Sequence, residues 1–513
     1  MKPRLVLLRP PMIVPRWAHA SPICPPLGLA YVAAAARGAG WDVSCVDALG
    51  EAPFRRWTTG NGNFVGYGLP PEELVARAGN CDALGISVMF SHDWPTVKNI
   101  FRDLRPRMPH AVLIAGGEHL TALPEFCLSD CPELDIGVLG EGEATIVDLL
   151  KAIESGSATG VAGTVYRHAG NTRIAPGRRR LEPLESIPRP AWDLLPMENY
   201  LANGLGYGVN PGRTLPLVAS RGCPFQCTFC SSPRMWTTRW RARNPDDVLD
   251  EMQDAIKRYG VRNFDLYDLT AIVRKDWVVE FAGKILERGW DITWQMPAGT
   301  RSEALDEECL RLMRSSGQRN ISYAPESGSP ATLRRIKKNV DLDRMTRSIS
   351  AALREGMNVK LNMIMGFPHE SDRHLLETAF FLARMAALGV HDAYIACFSP
   401  YPGSELFEEL RGSGAIGALD SDYFLALTSY SDLRYSRSYA PRLSSRRLSF
   451  YRLGSMALFY AISYLLHPSR ILRLIFNFIR GREESRLDVA LRSIKDRFRP
   501  GRCAAATAAS AKA

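Results

Sequence analysis

Long hydrophobic runs are scarce in this chain of 513 residues. Near the C-terminus, "LGSMALFYAISYLL" (453–466) stops after 14 uncharged residues, short of the roughly 20 that a bilayer-spanning helix needs. The N-terminal "MKPRLVLLRPP" has too short an apolar run for a signal peptide and reads as a first strand. A cysteine framework is missing as well. The 11 cysteines are odd in number and scattered without regular spacing, which argues against a secreted disulfide scaffold. The expected compartment is a reducing cytoplasm. Acidic residues run short only at one end. Between Arg434 and Pro500 there are 15 Lys or Arg against 4 Asp or Glu, so the net charge of +10 belongs to the C-terminal segment and residues 1–433 are near neutral. That split disfavours a global nucleic-acid-binding surface, and no nucleic-acid partner is expected.

What is present is alternation. Apolar runs at 4–8, 42–48, 83–89, 111–117 and 136–140 read as strands, and 27–40, 94–108 and 143–153 read as helices. This pattern predicts a doubly wound, Rossmann-like parallel sheet over residues 1–154, with ligands at the C-terminal strand ends. Residues 155–212 lose the rhythm and read as a linker with one small strand, "GTVYR" (163–167). Alternation resumes over 213–425, with six strand candidates beginning near 214, 263, 292, 320, 358 and 392. Six βα units fit a partial (β/α)6 TIM-like barrel, whose chemistry sits on the loops after the strands. The fold class is therefore α/β. Residues 426–500 read as a basic, apolar helical region. Within 445–480 the apolar faces and flanking arginines suit an interfacial helix pair on a membrane surface. An ordinary helical cap over the barrel opening is the competing reading. Residues 501–513 are low in complexity and are expected to be disordered.

The densest chemistry lies in "SRGCPFQCTFCSSP" (220–233). Cys223, Cys227 and Cys230 have the spacing C-x3-C-x2-C. A zinc site usually takes four ligands, often as two pairs, and no second pair is near; Cys127 and Cys131 lie in the first domain. Three thiolates suit three irons of a [4Fe–4S] cube with the fourth iron open. Gly222 and Pro224 bend the loop, Phe229 can shield the cluster, and the motif follows the first barrel strand.

At this point the motif resembles the radical S-adenosylmethionine (SAM) superfamily. "FDLYDL" (264–269), "APESGS" (324–329), "MIMGFPHES" (363–371) and "SPYPGSELFEEL" (399–410) match further family segments at the expected places. The resemblance implies SAM contacts at Phe229, Asp268, Glu326 and Gly366. In front of this barrel, "PPLGLAYVAAAARGAGWDV" (25–43), "AGGEHLTALPE" (115–125) and "GVLGEGEATIVDLL" (137–150) resemble the cobalamin-binding domain of B12-dependent radical SAM enzymes. That implies cobalamin contacts at Ser87, Gly116, Gly117, Glu141 and Gly142. The Asp-x-His-x-x-Gly signature of proteins that supply a histidine to cobalt is absent after the first strand. His92 and His119 follow strands and could face the ligand, but a surface or packing role is the expectation for each, His19 has neighbours that do not fit the signature, and no protein histidine is expected on cobalt.

The resemblance implies reductive cleavage of SAM at the cluster to a 5′-deoxyadenosyl radical, with an external donor of the flavodoxin or ferredoxin type. Its leading outcome is methyl transfer through cobalamin to an unactivated carbon. An interfacial helix pair in the basic, apolar C-terminal segment would bring a hydrophobic, lipid-like substrate within reach. The same domain order resembles the anaerobic magnesium-protoporphyrin cyclase and hopanoid-processing branches, whose outcomes are oxidation, ring formation or carbon–carbon bond formation. A non-catalytic cobalamin-binding sensor is a minor alternative. Tyr267, Trp294 and Tyr323 are candidate cavity residues, with core packing as the alternative for each.

Overall fold

The structure, a computed structural model, describes residues 2–491 except 19–21, 61, 179, 181–182, 210–211, 271, 302–304, 486 and 490. Its first sheet has seven strands. The five parallel ones are Arg4–Arg9, Asp42–Asp47, Ala83–Ser87, Val112–Gly116 and Ile136–Val138. In the order of the sheet they run second, first, third, fourth, fifth. Strand order therefore reverses between Arg4–Arg9 and Ala83–Ser87, the switch point where such sheets bind ligands. Leu5, Val6, Leu7 and Leu8 are all buried, as expected for a strand covered on both faces. Helix Leu27–Gly38 covers one face with seven alanines and glycines among its twelve residues, which lets it lie close to helix Gly142–Glu154.

Residues 155–212 are less of a linker than their composition suggests. Strands Thr164–His168 and Asn171–Ile174 form a hairpin that joins the first sheet antiparallel to Ile136–Val138. A second difference is a small antiparallel sheet of Met12–Pro15, Arg56–Thr58 and Phe64–Tyr67. Its strands are three or four residues long and come from two separate loops, so no single stretch of sequence shows their pairing.

The second sheet is the expected partial barrel. Thr214–Leu217, Asn263–Leu266, Thr293–Thr300, Gln318–Glu326, Asn358–Met365 and Asp392–Cys397 pair in sequence order, all parallel. Helices follow each strand on the outside. Pro245–Tyr259 shows the local logic: Asn244 caps it through Asp246 N, Pro245 opens it, and Gly260 closes it in the left-handed region. The alternation of Asn358–Met365 puts Val359, Leu361, Met363 and Met365 in the outer core and Lys360, Asn362 and Ile364 inside the barrel.

Beyond the barrel, helix Ser445–Leu466 packs along helix Asp372–Leu388 and the last strand. Its buried side is Leu448, Arg452, Ser455, Phe459 and Ser463, one stripe at helical spacing. Arg452 is almost fully buried and donates to the carbonyls of Ile395, Asp432 and Tyr430. The expected interfacial pair is thus two unlike helices. This one is a cap on the barrel, and Ser469–Arg480, which follows it, is mostly exposed. Residues 501–513 lie outside the described residues.

Candidate functional site: a cavity between two parallel sheets

The C-terminal strand ends of both sheets open into one cavity of about 1790 Å3. Single drug-sized ligands occupy roughly 300–1,000 Å3, so the space suits more than one group.

On the side of the first sheet the walls are largely bare backbone. Ser87, Gly116, Gly117, Glu141 and Gly142 all line the cavity. Ser87 and Gly116 are neighbours in the register of the sheet. Gly117 sits at φ +120°, where a Cβ would lie 2.5 Å from the Val88 carbonyl oxygen, so only glycine fits. Glu141 faces the cavity but is already engaged: Arg180 and Arg221 hold it at 3.1 and 3.0 Å. Burial opposes its charge, and these two arginines nonetheless keep its carboxyl below the usual range.

The histidines separate. His19 lies outside the described residues. His119 is packed between Trp94 and Phe424, with Nδ1 on Ser91 Oγ at 3.0 Å. His92 lines the cavity, stacked on Phe90. Its Nδ1 is buried with no hydrogen-bond partner. Burial lowers the His92 imidazole to about 4 and raises the neighbouring Asp93 to about 7. This wall therefore carries a neutral imidazole beside a carboxyl that is partly protonated at neutral pH.

On the barrel side, the cysteine loop leaves strand Thr214–Leu217 and is pinned at several points. Gly222 has φ +88°, and a Cβ there would lie 2.3 Å from the Arg239 carbonyl oxygen. Thr228 N donates to Ile336 O, and Leu406 N donates to Thr228 O. Ser231 donates to Glu118 of the first domain. Phe229 packs against Phe367 at 5.6 Å. Burial raises all three thiols, while Lys338 and Arg301 act on Cys223 and Cys227 in the opposite sense. Lys338 is buried and donates to Glu326 at 2.9 Å, and the Arg301 guanidinium lies 3.5 Å over the Phe225 ring. Three thiols with two cations in reach form a donor set that fits an anionic iron–sulfur cluster. Among the described residues no group of three His, Cys, Asp or Glu is arranged to hold a single metal ion.

Glu326 faces the cavity. A bulge between Tyr323 and Glu326 ends the strand's regular register, and Glu326 sits at φ +67°, an uncommon conformation for a side-chain-bearing residue. Two other expected SAM residues are used differently. Asp268 points away from the cavity, which its neighbours Tyr267 and Leu269 line. It accepts from Ala219 N and Ser220 Oγ at 3.1 and 2.5 Å and so holds the strand end that leads into the cysteine loop. Gly366 is pressed against Leu448, where a Cβ would lie 2.7 Å from Cδ2. Its N–H and that of Phe367 donate to Glu370 Oε2. Of the three candidate aromatic residues, only Tyr267 lines the cavity. Trp294 packs on Phe281 and donates to Ser316. Tyr323 is buried against Ser348. Both belong to the core.

Sequence reading missed Arg221, which joins the two halves of the site. It lies two positions before Cys223, pairs with Glu141 and Glu143, and stacks over Tyr31 and Trp236. A charged residue between a buried strand and a cysteine loop was the available signal. Lys338 gave none, because "RRIKKN" (334–339) resembles any solvated basic run.

Residues 217–382 match the radical SAM superfamily model and residues 15–150 match the B12-binding domain model. An uncharacterized methyltransferase of Pyrococcus horikoshii is 30% identical over 75% of this chain and 78% of its own length. The cytidylyl-2-hydroxyethylphosphonate methyltransferase of Streptomyces wedmorensis is 31% identical over 82% of this chain and 84% of its own. This chain belongs to the cobalamin-binding radical SAM family. It is a radical SAM enzyme, and its cofactors are SAM, a [4Fe–4S] cluster and cobalamin. Solved structures agree in fold. The cobalamin- and cluster-bound radical SAM methyltransferase TsrM of Kitasatospora setae superposes with a TM-score of 0.65 at 15% identity, over 90% of this chain and 89% of that one. The cobalamin-dependent radical enzyme OxsB gives 0.66 at 16% identity, over 97% and 81%. The anaerobic magnesium-protoporphyrin IX monomethyl ester cyclase of Rubrivivax gelatinosus is 29% identical over 59% of this chain and 54% of its own length.

Proposed function

We infer that this enzyme is a cytoplasmic C-methyltransferase acting on an unactivated carbon of a hydrophobic, lipid-like molecule, with an electron donor of the flavodoxin or ferredoxin type. The observation that carries this reading is the single cavity joining the first sheet's strand ends to the barrel. When bound, SAM and the cluster supply hydrogen-atom abstraction and cobalamin supplies the methyl group.

The residues of the chain have defined work there. The glycine-rich strand ends of the first domain offer backbone for close approach of cobalamin. Cys223, Cys227 and Cys230 would hold the cluster, and Glu326, braced by Lys338, would hold SAM. Facing them inside the barrel are Ala298, Ala324, Ile364, Ala396 and Tyr394, small or apolar groups that exclude water, together with the polar Lys360, Asn362 and Asp392. Burial pushes the phenols of Tyr267 and Tyr394 well above their ordinary value, so both stay protonated and present O–H groups rather than charges. The relative from S. wedmorensis acts, by its name, on a charged cytidylyl phosphonate. The walls here, mostly apolar around Lys360, Asn362 and Asp392, support a less polar substrate.

The 29% identity to the magnesium-protoporphyrin cyclase favours a second reading, a radical cyclase or oxidase that transfers no methyl group. An anaerobic assay of the full chain with SAM, cobalamin, a strong reductant and a lipid extract separates the two by product mass. Gain of one methylene supports methyl transfer. Loss of two hydrogens or gain of oxygen supports the second reading. Absence of SAM cleavage would sink both.

A further inference from the structure

Helix Ser469–Arg480 is the most exposed apolar element of the described chain. Its sequence, "SRILRLIFNFIR", buries only Asn477. Leu472 is 72% exposed and Ile479 is 74% exposed, and Ile471, Ile475, Phe476 and Phe478 are exposed beside them. Leu465 and Leu466, at the end of the preceding helix and just before this one, are exposed as well, Leu465 at 80%. An apolar patch of this kind marks an interaction site.

The helix is held in place at both ends. Arg470 donates to the Val390 carbonyl oxygen and to Ser463 Oγ. Asn477 donates to Asp488. Asn358, at the start of its barrel strand, donates to the Glu484 carbonyl oxygen. Leu487, Val489 and Leu491 then line the end of the cavity away from the cysteine loop. The exposed apolar face thus lies on the segment that closes the lower end of the barrel.

Charge selects the partner. Between Ser445 and Arg482 there are seven arginines and no Asp or Glu. Arg447 is paired with Asp372, and Arg452 and Arg470 are committed to carbonyl oxygens. Arg446 is exposed near the start of the preceding helix, and Arg473, Arg480 and Arg482 are exposed on and just after Ser469–Arg480. The Arg480 guanidinium lies 4.0 Å over the Phe476 ring, so its charge sits at the edge of the apolar surface, the posture of a snorkelling side chain. Two copies meeting through this face would oppose like charges. An anionic lipid surface offers apolar depth and negative headgroups together.

We propose that Ser469–Arg480, with Leu465 and Leu466, is an interfacial anchor that docks the enzyme on anionic membranes. Docking sets the lower end of the barrel against the lipid, from which an apolar substrate can enter beside Leu487 and Val489. The docking itself does not depend on whether the reaction transfers a methyl group.

The test is flotation of the full chain with phosphatidylglycerol/phosphatidylcholine vesicles and with pure phosphatidylcholine vesicles. Wild type is expected to float with the anionic vesicles and to release as salt rises. L472E/I479E is expected to lose flotation. R473E/R480E is expected to weaken it by at least ~30-fold, since each basic residue at an anionic surface contributes about fivefold. All of these side chains are exposed, so iron content and circular dichroism should match wild type in both variants. The proposal is overturned if wild type stays unbound, if it binds neutral vesicles equally well, or if both variants float unchanged. A dimer dissolved by L472E/I479E, without lipid binding, would assign the face to a second copy instead.

Discussion

Arg221 Nη2 lies 2.6 Å from Glu143 Oε1, and both side chains are buried. The contact ties the approach to the cluster loop to the first turn of helix Gly142–Glu154, and so fixes one cofactor site relative to the other. Removing one partner of a buried pair leaves an uncompensated charge and costs roughly 3–5 kcal/mol. R221A is expected to lose about that much in urea unfolding of the apoprotein, and R221M/E143Q to recover part of it. A loss in R221A within experimental error of zero would show that the contact does not hold the halves together.

The cysteines divide into two classes. C223S, C227S and C230S should each abolish SAM cleavage and reduce iron well below the roughly four atoms expected for a cube. C127S and C131S should leave iron content unchanged, because these thiols are buried in the first domain's core. Equal iron loss in both classes would contradict the assignment.

Glu370 carries a pH signature. Burial raises its carboxyl from an ordinary 4.5 to about 7, although Gly366 N, Phe367 N and Thr332 Oγ1 all donate to it. A group whose folded value is raised stabilises fully below its unfolded value, and that stability is lost as pH rises toward the folded value. E370Q keeps an oxygen for the two backbone N–H groups. Its stability relative to wild type should therefore rise between about pH 4.5 and 7, by on the order of 3 kcal/mol, and then level off. A difference that stays flat across this window would mean that Glu370 is ionised in the fold.

Gly366 links the barrel to its helical cap. At φ +92°, and with Leu448 where a Cβ would go, G366A combines backbone strain with overpacking, each about 1–3 kcal/mol. Proteolysis should open Ser445–Leu466 first in this variant. Unchanged cleavage kinetics would show that the contact is slack.

Much of this was legible in the sequence because the central strands of both sheets are parallel and buried, so each of them is a near-continuous apolar run and each crossover is an amphipathic helix. The six barrel strands begin within two residues of their expected starts. The cysteine spacing and the glycines at the strand ends are local signals and survive in one dimension. What was illegible depends on direction or on partners distant in sequence. Asp268 follows Tyr267 just past the end of strand Asn263–Leu266, and only Tyr267 lines the cavity, because Asp268 is taken up by Ala219 and Ser220. Trp294 and Tyr323 are aromatic like Tyr267 but occupy core positions of their strands. The pairing of Arg221 with Glu141 and Glu143 spans about 80 positions, and no period in the sequence marks it. Of the hairpin at 164–174, the first strand was expected at 163–167, and the second, Asn171–Ile174, was hidden because it is a short, mostly polar edge strand.

The fate of a methyl label decides whether this enzyme transfers a methyl group. Full chain with reconstituted cluster is incubated anaerobically with methyl-deuterated SAM, cobalamin, a strong reductant and a membrane-lipid extract. Methyl transfer through cobalamin gives 5′-deoxyadenosine and a labelled methyl group in an apolar product in equal amounts, both lost in C227S, with the labelled product also lost when cobalamin is left out. 5′-Deoxyadenosine accompanied by an unlabelled product that has lost hydrogen would contradict it.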